Sequence, residues 1–269
     1  MRIVTYNIQY GFGKDGRFDL ERIAQEINGA DIIALQEVER FWTRSRNTDQ
    51  MAFFAECFPD HYSVYGAGVD LHIQDSTPQE NRRRQFGNMI LSRYPIVYAR
   101  NHLLPKRSST GQALSIQRTA LEATLLIDGM PIRIYSVHLT HLSRQIRKKQ
   151  INRILKIHRD ADVQDRPVAD KAILLGDFNF APDQPEYEMI VGPLCDYGGH
   201  VISENGFVDA WTHVGKDLMS GPTAHTLTDY VRMDYCFVNS MLRNRIKSCW
   251  VNDGARGSDH LPVWLELAI

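Results

Sequence analysis

Short apolar runs alternate along this chain with longer stretches in which apolar residues recur every three or four positions. The short runs predict strands, because a strand buried on both faces is apolar at successive positions. The 3.6-residue recurrence predicts helices that bury one face. The predicted strands are residues 1–8, 31–35, 62–65, 88–92, 96–101, 119–127, 132–139, 172–175, 230–238, 247–251 and 261–267.

Three helices are predicted, at residues 19–28, 48–58 and 143–159. Asp19 is a suitable N-cap for the first, and the Thr48 hydroxyl caps the second in this prediction. Between residues 62 and 139 the pattern is that of strands alone. Asp128-Gly129 predicts a two-residue hairpin turn, so that the strands on either side of it are antiparallel.

No low-complexity linker, repeat or change of composition divides residues 1–269, and a single domain is the prediction. Mixed, largely antiparallel strands with helices between them favour an α/β fold, in which two sheets form a sandwich covered by helices.

The composition is ordinary for a soluble globular protein, with 43% hydrophobic and 23% charged residues. The net charge of −1 excludes a general electrostatic attraction to nucleic acid, although a local patch could still bind it. No apolar run is long enough for a membrane span, and no secretory leader is recognisable. The four cysteines are far apart in sequence, which disfavours a zinc cage. A cytoplasmic location with reduced thiols is therefore expected.

A glycine motif at residues 11–16 follows the first strand and fits the dinucleotide-binding fingerprint G-x-G-x-x-G. Glu37 lies beyond it at a distance suitable for the ribose contact of that fingerprint. In that fingerprint the glycines open the helix, whose N-terminus faces the pyrophosphate. Here the helix is predicted to begin at Asp19, after the last glycine. A glycine-rich loop is the favoured interpretation.

Polar side chains mark the ends of several buried strands. A carboxylate at the end of a core strand is costly unless it is paired or bound to a metal, whereas a single Asp or Asn after a strand is commonly a turn residue. Several such ends on neighbouring strands would converge on one edge, where oxygen ligands could bind Mg²⁺. The segments are Thr-Tyr-Asn7, Leu-Gln-Glu37, Gly-Asp177-Phe-Asn179 and Ser-Asp259-His260, with His138 and Asp234 interrupting two further strands.

Taken in order, these segments resemble the motifs of the endonuclease/exonuclease/phosphatase superfamily, which includes deoxyribonuclease I and neutral sphingomyelinases. The resemblance runs from residue 7 to residue 260, and six motifs in order are highly specific. It implies a four-layer α/β/β/α sandwich and a divalent-metal-dependent phosphoester hydrolase.

The resemblance also implies a role for each matching residue. Glu37 is the expected principal metal ligand, with Asn7 beside it and Asp259 completing the outer coordination. Asp177 and Asn179 would orient the attacking water. The remaining expected site residues are His260 paired with Asp234, His138 at a phosphate oxygen or the leaving group, and Arg118 as a less securely matched phosphate ligand.

The expected activity is Mg²⁺-dependent hydrolysis of a phosphodiester, with Mn²⁺ as a substitute ion and a nucleic acid or phospholipid head group as substrate. Attack would be in line, by a water oriented by the metal and Asp177. A phosphomonoesterase acting on a small metabolite and a catalytically silent phosphate-binding member are the alternatives. Whether Asp177 or His260 is the general base, and whether one or two metals bind, stays open. No obligate protein partner or transmembrane segment is expected.

Several residues outside these motifs have ordinary explanations. The basic run at residues 82–84 is predicted to be a solvated loop, with a substrate-side loop as the alternative. The basic run at residues 147–149 is predicted to lie on the solvent-exposed face of a helix. His102 and His141 are predicted to be surface histidines, and Trp42 is assigned to ordinary packing.

Overall fold

The computed structural model describes residues 1–74, 77–106, 115–159, 169–195, 201–203, 206–225 and 229–269. Two six-stranded sheets dominate it, and each contains one parallel pair among antiparallel neighbours. The strands are β1 (Arg2–Asn7), β2 (Ile32–Arg40), β3 (Tyr62–His72), β4 (Arg83–Ser92), β5 (Ile96–Leu103), β6 (Thr119–Ile127), β7 (Met130–His138), β8 (Lys171–Asp177), β9 (Leu194–Cys195), β10 (Val201–Ser203), β11 (Val208–Asp209), β12 (Ala224–His225), β13 (Tyr230–Val231), β14 (Asp234–Val238), β15 (Ile246–Val251) and β16 (Val263–Leu267).

The first sheet has the order β15-β16-β1-β2-β4-β3 and the second has the order β11-β14-β8-β7-β6-β5. Two small sheets, β9 with β10 and β12 with β13, accompany them. The α-helices are α1 (Leu20–Glu26), α2 (Gln50–Cys57), α3 (Arg144–Arg159), α4 (Pro185–Val191) and α5 (Ala210–His213), and short 3₁₀ helices lie at Gln9–Gly11 and Arg243–Arg245.

Successive side chains of a strand point to opposite faces of its sheet, and this alternation explains how the sheets and helices form layers. On β1, Ile3 faces the second sheet, whereas the next residue, Val4, faces the helices. The same division separates Ile173 from Leu174 on β8. Because both faces of each sheet are buried, these strands are apolar at successive positions. Helices α1 and α2 pack on one sheet and α3 and α4 on the other, which confirms the four-layer α/β/β/α sandwich.

Towards one end of the sandwich, the apolar layer between the sheets gives way to buried polar groups. The Gln36 side-chain amide donates to Thr5 Oγ1 at 3.2 Å in its own sheet and to Ser136 Oγ at 3.0 Å in the other. Asn88 donates to the Ser136 and Thr119 carbonyl oxygens, each at 3.1 Å. These bonds join the two sheets through directional contacts beside the strand ends that carry the candidate site.

Most of the predicted elements are present, with corrected ends. Asp19 caps α1 by accepting a bond from the Arg22 backbone N–H at 2.9 Å, as predicted. The cap of α2 is Asp49 and not Thr48, because the Asp49 carboxylate accepts from Ala52 N. Asp128 and Gly129 both have positive φ in the hairpin between β6 and β7, which the turn prediction requires.

Three predictions about charged surface residues need correction, although Arg82 lies outside the strands and is exposed, and Lys149 is exposed on α3, as predicted. Arg83 and Arg84 belong to β4 and not to a loop. Arg147 is buried and forms an ion pair with Glu186 at 3.2 Å, so it is not on the wet face of α3. His102 is also buried, and its Nε2 lies 2.7 Å from Glu122. Arg147 and His102 are buried because each has a buried carboxylate partner on a neighbouring element. Such a partner is not visible in the local sequence.

Candidate active site

Strand ends from both sheets meet at one edge of the sandwich. Asn7 ends β1, and in the parallel pairing of β1 with β2 it lies opposite Gln36, one residue before Glu37. In the second sheet the parallel pairing of β7 with β8 places His138 opposite Asp177. Asp177 is in turn opposite Asp234 in the antiparallel pair with β14. The topology therefore brings together residues as distant in sequence as Asn7 and Asp234.

Glu37 reaches this edge through an irregularity in β2. The register with β4 shifts between Leu35 and Val38, and Glu37 has a φ of 61°. A positive φ is uncommon for a residue other than glycine, and a bulge redirects the side chain. The sequence prediction ended the strand near Glu37, whereas β2 continues to Arg40 beyond the bulge. Backbone strain of this kind is often found at functional sites.

The Asp177 carboxylate is the centre of the hydrogen-bond network. Its Oδ2 accepts from Asn7 Nδ2 at 3.0 Å and Asn179 Nδ2 at 3.1 Å, and it lies 3.2 Å from His138 Nε2. Its Oδ1 accepts from the Asn179 backbone N–H at 2.9 Å. Burial raises the pKa of Asp177 to about 7, against the opposing effect of His260. A carboxylate with a pKa near neutrality can accept a proton from water during a reaction.

His138 has a defined tautomer. Arg118 Nη1 lies 2.8 Å from His138 Nδ1, and because arginine can only donate, Nδ1 accepts. The ring proton is therefore on Nε2, which faces Asp177 Oδ2 and lies 3.8 Å from Glu37. Burial lowers the pKa of His138 well below its usual value, and the Arg118 charge lowers it further. His138 is a neutral hydrogen-bond donor towards the site.

His260 has the opposite electrostatic character. Its Nδ1 lies 2.8 Å from Asp234 Oδ2, and its Nε2 lies 3.8 Å from Asp177 Oδ2. Burial alone would lower the pKa of His260, but the Asp234 and Asp177 carboxylates outweigh it and raise the pKa to about 10. His260 is thus an imidazolium at neutral pH. Its loop is fixed by Ser258, whose hydroxyl donates to the Asn7 carbonyl oxygen at 2.7 Å.

The carboxylates here form a donor set that suits a hard divalent cation. Burial raises the pKa of Glu37, the Arg118 and His260 charges lower it, and the Asp259 charge raises it. A cation beside Glu37 and Asp259 would stabilise both carboxylates. Asp234 Oδ1 is also buried without a hydrogen-bond partner, whereas the protonated His260 beside it has no lone pair to offer a cation. The residues present therefore fit a divalent metal.

All nine sequence-predicted site residues lie at this edge or in direct contact with it. The cleft between them also includes residues that the sequence analysis did not assign to the site, namely Tyr10, Arg44, Phe86 and Ile116, together with His141. No motif marks these residues, because they lie on loops and strand ends that only the tertiary fold brings to the cleft. The lining residues are Asn7, Tyr10, Glu37, Arg44, Phe86, Ile116, Arg118, His138, His141, Asp177, Asn179 and His260.

Solved structures share this fold over the whole chain. An endonuclease/exonuclease/phosphatase from Beutenbergia cavernae DSM 12333 superposes with a TM-score of 0.70 at 23% identity, covering 100% of this chain and 71% of that one. A mannosyl-6-phosphatase from Bacteroides thetaiotaomicron VPI-5482 gives 0.69 at 18% identity, with 100% of both chains covered. A TDP2 of D. rerio, humanized by 14 mutations, gives 0.62 at 18% identity and covers 100% of this chain and 99% of its own.

The model of the endonuclease/exonuclease/phosphatase family matches residues 4–260, and the chain belongs to that family. Its members are phosphoester hydrolases, and so is this protein. Among the described residues, no helix combines the length and the apolar character needed to cross a bilayer.

Proposed function

We propose that this protein is a Mg²⁺-dependent phosphodiesterase acting on a nucleic acid or a phospholipid head group. The observation that carries the proposal is the hydrogen-bond network around Asp177, in which three side-chain donors converge on Oδ2. Such preorganised donors and acceptors are what in-line attack on a phosphoester requires.

In this proposal Glu37, Asn7 and Asp259 hold Mg²⁺, which supplies positive charge for the non-bridging and leaving oxygens. Asp177 and Asn179 orient the attacking water. The pKa of about 7 for Asp177 favours this residue over His260 as the proton acceptor, because His260 is already protonated at neutral pH.

The cationic and neutral donors have separate roles on the phosphate. The single Nε2 proton of the neutral His138 faces Asp177 Oδ2 in the structure and would turn to a phosphate oxygen when substrate binds, while Arg118 positions the imidazole through its bond to Nδ1. The His260 imidazolium, fixed by Asp234, offers its Nε2 proton to the phosphate as negative charge develops. Removal of Asp234 would leave His260 free to rotate and to change its protonation state.

A phosphomonoester of a small metabolite is the second candidate substrate. A mannosyl-6-phosphatase has a similar fold, which supports this alternative. The catalytically silent alternative is disfavoured, because every position implied by the family motifs carries a functional side chain.

Hydrolysis assays with matched variants test the proposal. Wild type, Asp177→Asn and His260→Gln are compared on bis-p-nitrophenyl phosphate and p-nitrophenyl phosphate, with Mg²⁺, with Mn²⁺ and with EDTA. Loss of a positioned acid or base lowers rates by about 10²–10⁴-fold, and a fall of that size is expected for both variants on the diester. Asp183→Asn removes an exposed carboxylate from the segment after β8 and is the control. Wild-type rates in both variants would contradict the proposal.

A further inference from the structure

Beside the candidate active-site cleft, the segment that follows β2 and the start of β4 carry an unusual combination of arginine and aromatic side chains. Arg44 lines the cleft, with its Cζ 4.0 Å from the centre of the Tyr10 ring and 5.2 Å from that of Trp42. The Cζ of Arg84 on β4 lies 5.5 Å from the same Trp42 ring. We call Arg44, Trp42 and Arg84 the arginine–tryptophan wall.

The wall is rigidly built. Trp42 Nε1 donates to the Gln85 carbonyl oxygen at 2.7 Å, which fixes the indole against β4. Arg44 donates from both Nε and Nη2 to one oxygen of Glu39, a fully buried carboxylate two residues beyond Glu37. Gln50 accepts from the Glu39 backbone N–H at 2.8 Å and donates to the Tyr10 carbonyl oxygen at 2.7 Å. These contacts orient the Arg44 guanidinium before any ligand arrives.

Positive charge on the wall exceeds negative charge. In the part of the chain that the structure describes, Arg84 makes no ion pair, and its Nε is buried without a hydrogen-bond partner. The neighbouring arginines differ, since Arg83 pairs with Asp70 at 2.6 Å and Arg82 with Glu80 at 3.7 Å. Burial raises the pKa of the single Glu39 carboxylate, and the charges of both Arg44 and Arg84 act against that effect, although only Arg44 is bonded to it. Within the same described part, the bonds to Glu39 leave Arg44 Nη1 unused.

Guanidinium donors that are not used within the protein favour the binding of a ligand group with several anionic oxygens. Guanidinium groups bind phosphate through parallel N–H bonds, and those bonds are stronger than neutral ones. The rings of Tyr10 and Trp42 already contact the guanidinium groups, so a flat apolar ligand would have to displace those contacts. The scissile phosphate itself would be bound by His138, His260 and the metal.

We propose that Arg44 and Arg84 form a second anion subsite, which binds a phosphate group next to the scissile phosphoester. This inference rests on the proposed hydrolase function and narrows its substrate class to molecules with at least two phosphate groups. The second phosphate could belong to the adjacent nucleotide of a single strand or to a small bisphosphate. Both sources present the same chemistry to the wall.

Binding measurements separate the subsite from the catalytic function. A fluorescein-labelled single-stranded hexanucleotide is titrated with the Asp177→Asn protein in Mg²⁺, and anisotropy gives Kd. Adding Arg44→Gln or Arg84→Gln is expected to weaken binding about tenfold or more, as for a lost hydrogen bond to a charged group. The salt dependence of Kd should also fall by about one charge per arginine. Arg83→Gln removes the same charge from the adjacent position on β4 and is expected to leave Kd within about twofold of the parent protein.

Competition identifies the source of the phosphate. If a sugar bisphosphate displaces the hexanucleotide far better than the sugar monophosphate, and each arginine variant abolishes that difference, the subsite accepts small bisphosphates as well. If the hexanucleotide does not bind but calorimetry shows that the bisphosphate does, with the same loss in the variants, a small molecule is the ligand. If neither probe binds better than the monophosphate, or if the arginine variants bind as tightly as the parent, the subsite proposal is wrong.

The two proposals fail in different ways. If wild type hydrolyses none of the phosphoester panel, the catalytic proposal fails while the binding data still decide the subsite. If wild type hydrolyses bis-p-nitrophenyl phosphate but the arginine variants bind both probes normally, the catalytic proposal stands and the subsite is withdrawn. Thermal unfolding of each variant checks that the fold is intact.

Discussion

Among single residues, the electrostatics of His260 and His138 differ although both lie against Asp177. His138 accepts a bond from a cationic arginine, which disfavours its protonation, whereas His260 is paired with the Asp234 carboxylate, which favours it. One site therefore contains a neutral imidazole and an imidazolium at the same pH. In the proposed mechanism, this difference allows one histidine to donate a neutral hydrogen bond and the other to offset developing charge.

A pH-dependent stability follows from the pairing of His260 with Asp234. The pKa of His260 is raised from 6.5 to about 10 in the folded protein, so folding favours the protonated ring. The stabilisation is complete below about pH 6.5 and is lost as the pH rises through about 10. We predict that in EDTA the free energy of unfolding of wild type exceeds that of His260→Gln at pH 7, and that the difference shrinks towards pH 10.5. Urea unfolding at several pH values measures it, and a constant difference would contradict the assignment.

At the level of elements, α3 is anchored to α4 by a buried ion pair. Arg147 donates from Nε to Glu186 Oε1 at 3.2 Å, and Glu186 is fully buried. The sequence interpretation placed Arg147 on the wet face, since its neighbours Lys148 and Lys149 have that character. A carboxylate at the start of α4, nearly 40 residues later, reverses the expected environment.

Breaking this ion pair should destabilise the fold. We predict that Arg147→Met lowers the free energy of unfolding by about 3 kcal/mol, because it leaves Glu186 buried with only the exposed Arg144 at 3.8 Å. Removing both charges in Arg147→Met/Glu186→Leu should cost less than Arg147→Met alone. Lys149→Met, on the exposed side of α3, is the control and should change stability by about 0.5 kcal/mol or less. If Arg147→Met and Lys149→Met lowered the free energy of unfolding equally, the buried ion pair would not contribute to stability.

For the whole molecule, metal binding and folding should be linked. Glu37 and Asp259 come from opposite ends of the chain, so a bound cation would connect segments that are separate in the unfolded state. We predict that Mg²⁺ at about 100 times its Kd raises the free energy of unfolding of wild type by about 2.7 kcal/mol. Glu37→Gln should show little of this increase. Thermal unfolding with and without Mg²⁺ checks it, and the same increase in both proteins would exclude Glu37 as a principal ligand.

The sequence by itself determined the layered architecture and the set of polar strand ends. Successive apolar residues in β1, β2 and β8 indicate strands that are covered on both faces. Strands of this kind, with helices between them along the chain, fit few arrangements other than sheets packed between helices. The motifs at Asn7, Glu37, Asp177 and His260 similarly identified the family, because their residue types and order suffice without coordinates.

Only the tertiary structure decided how those residues are oriented and what surrounds them. The bulge at Glu37 depends on the register of β2 with β4, and the tautomer of His138 depends on Arg118 from a different strand end. The burial of Arg147 and the position of Arg44 in the cleft likewise depend on partners distant in sequence. Periodicity reports which face of an element is apolar, whereas the charge and hydrogen-bond state of a side chain depends on neighbours that only folding brings together.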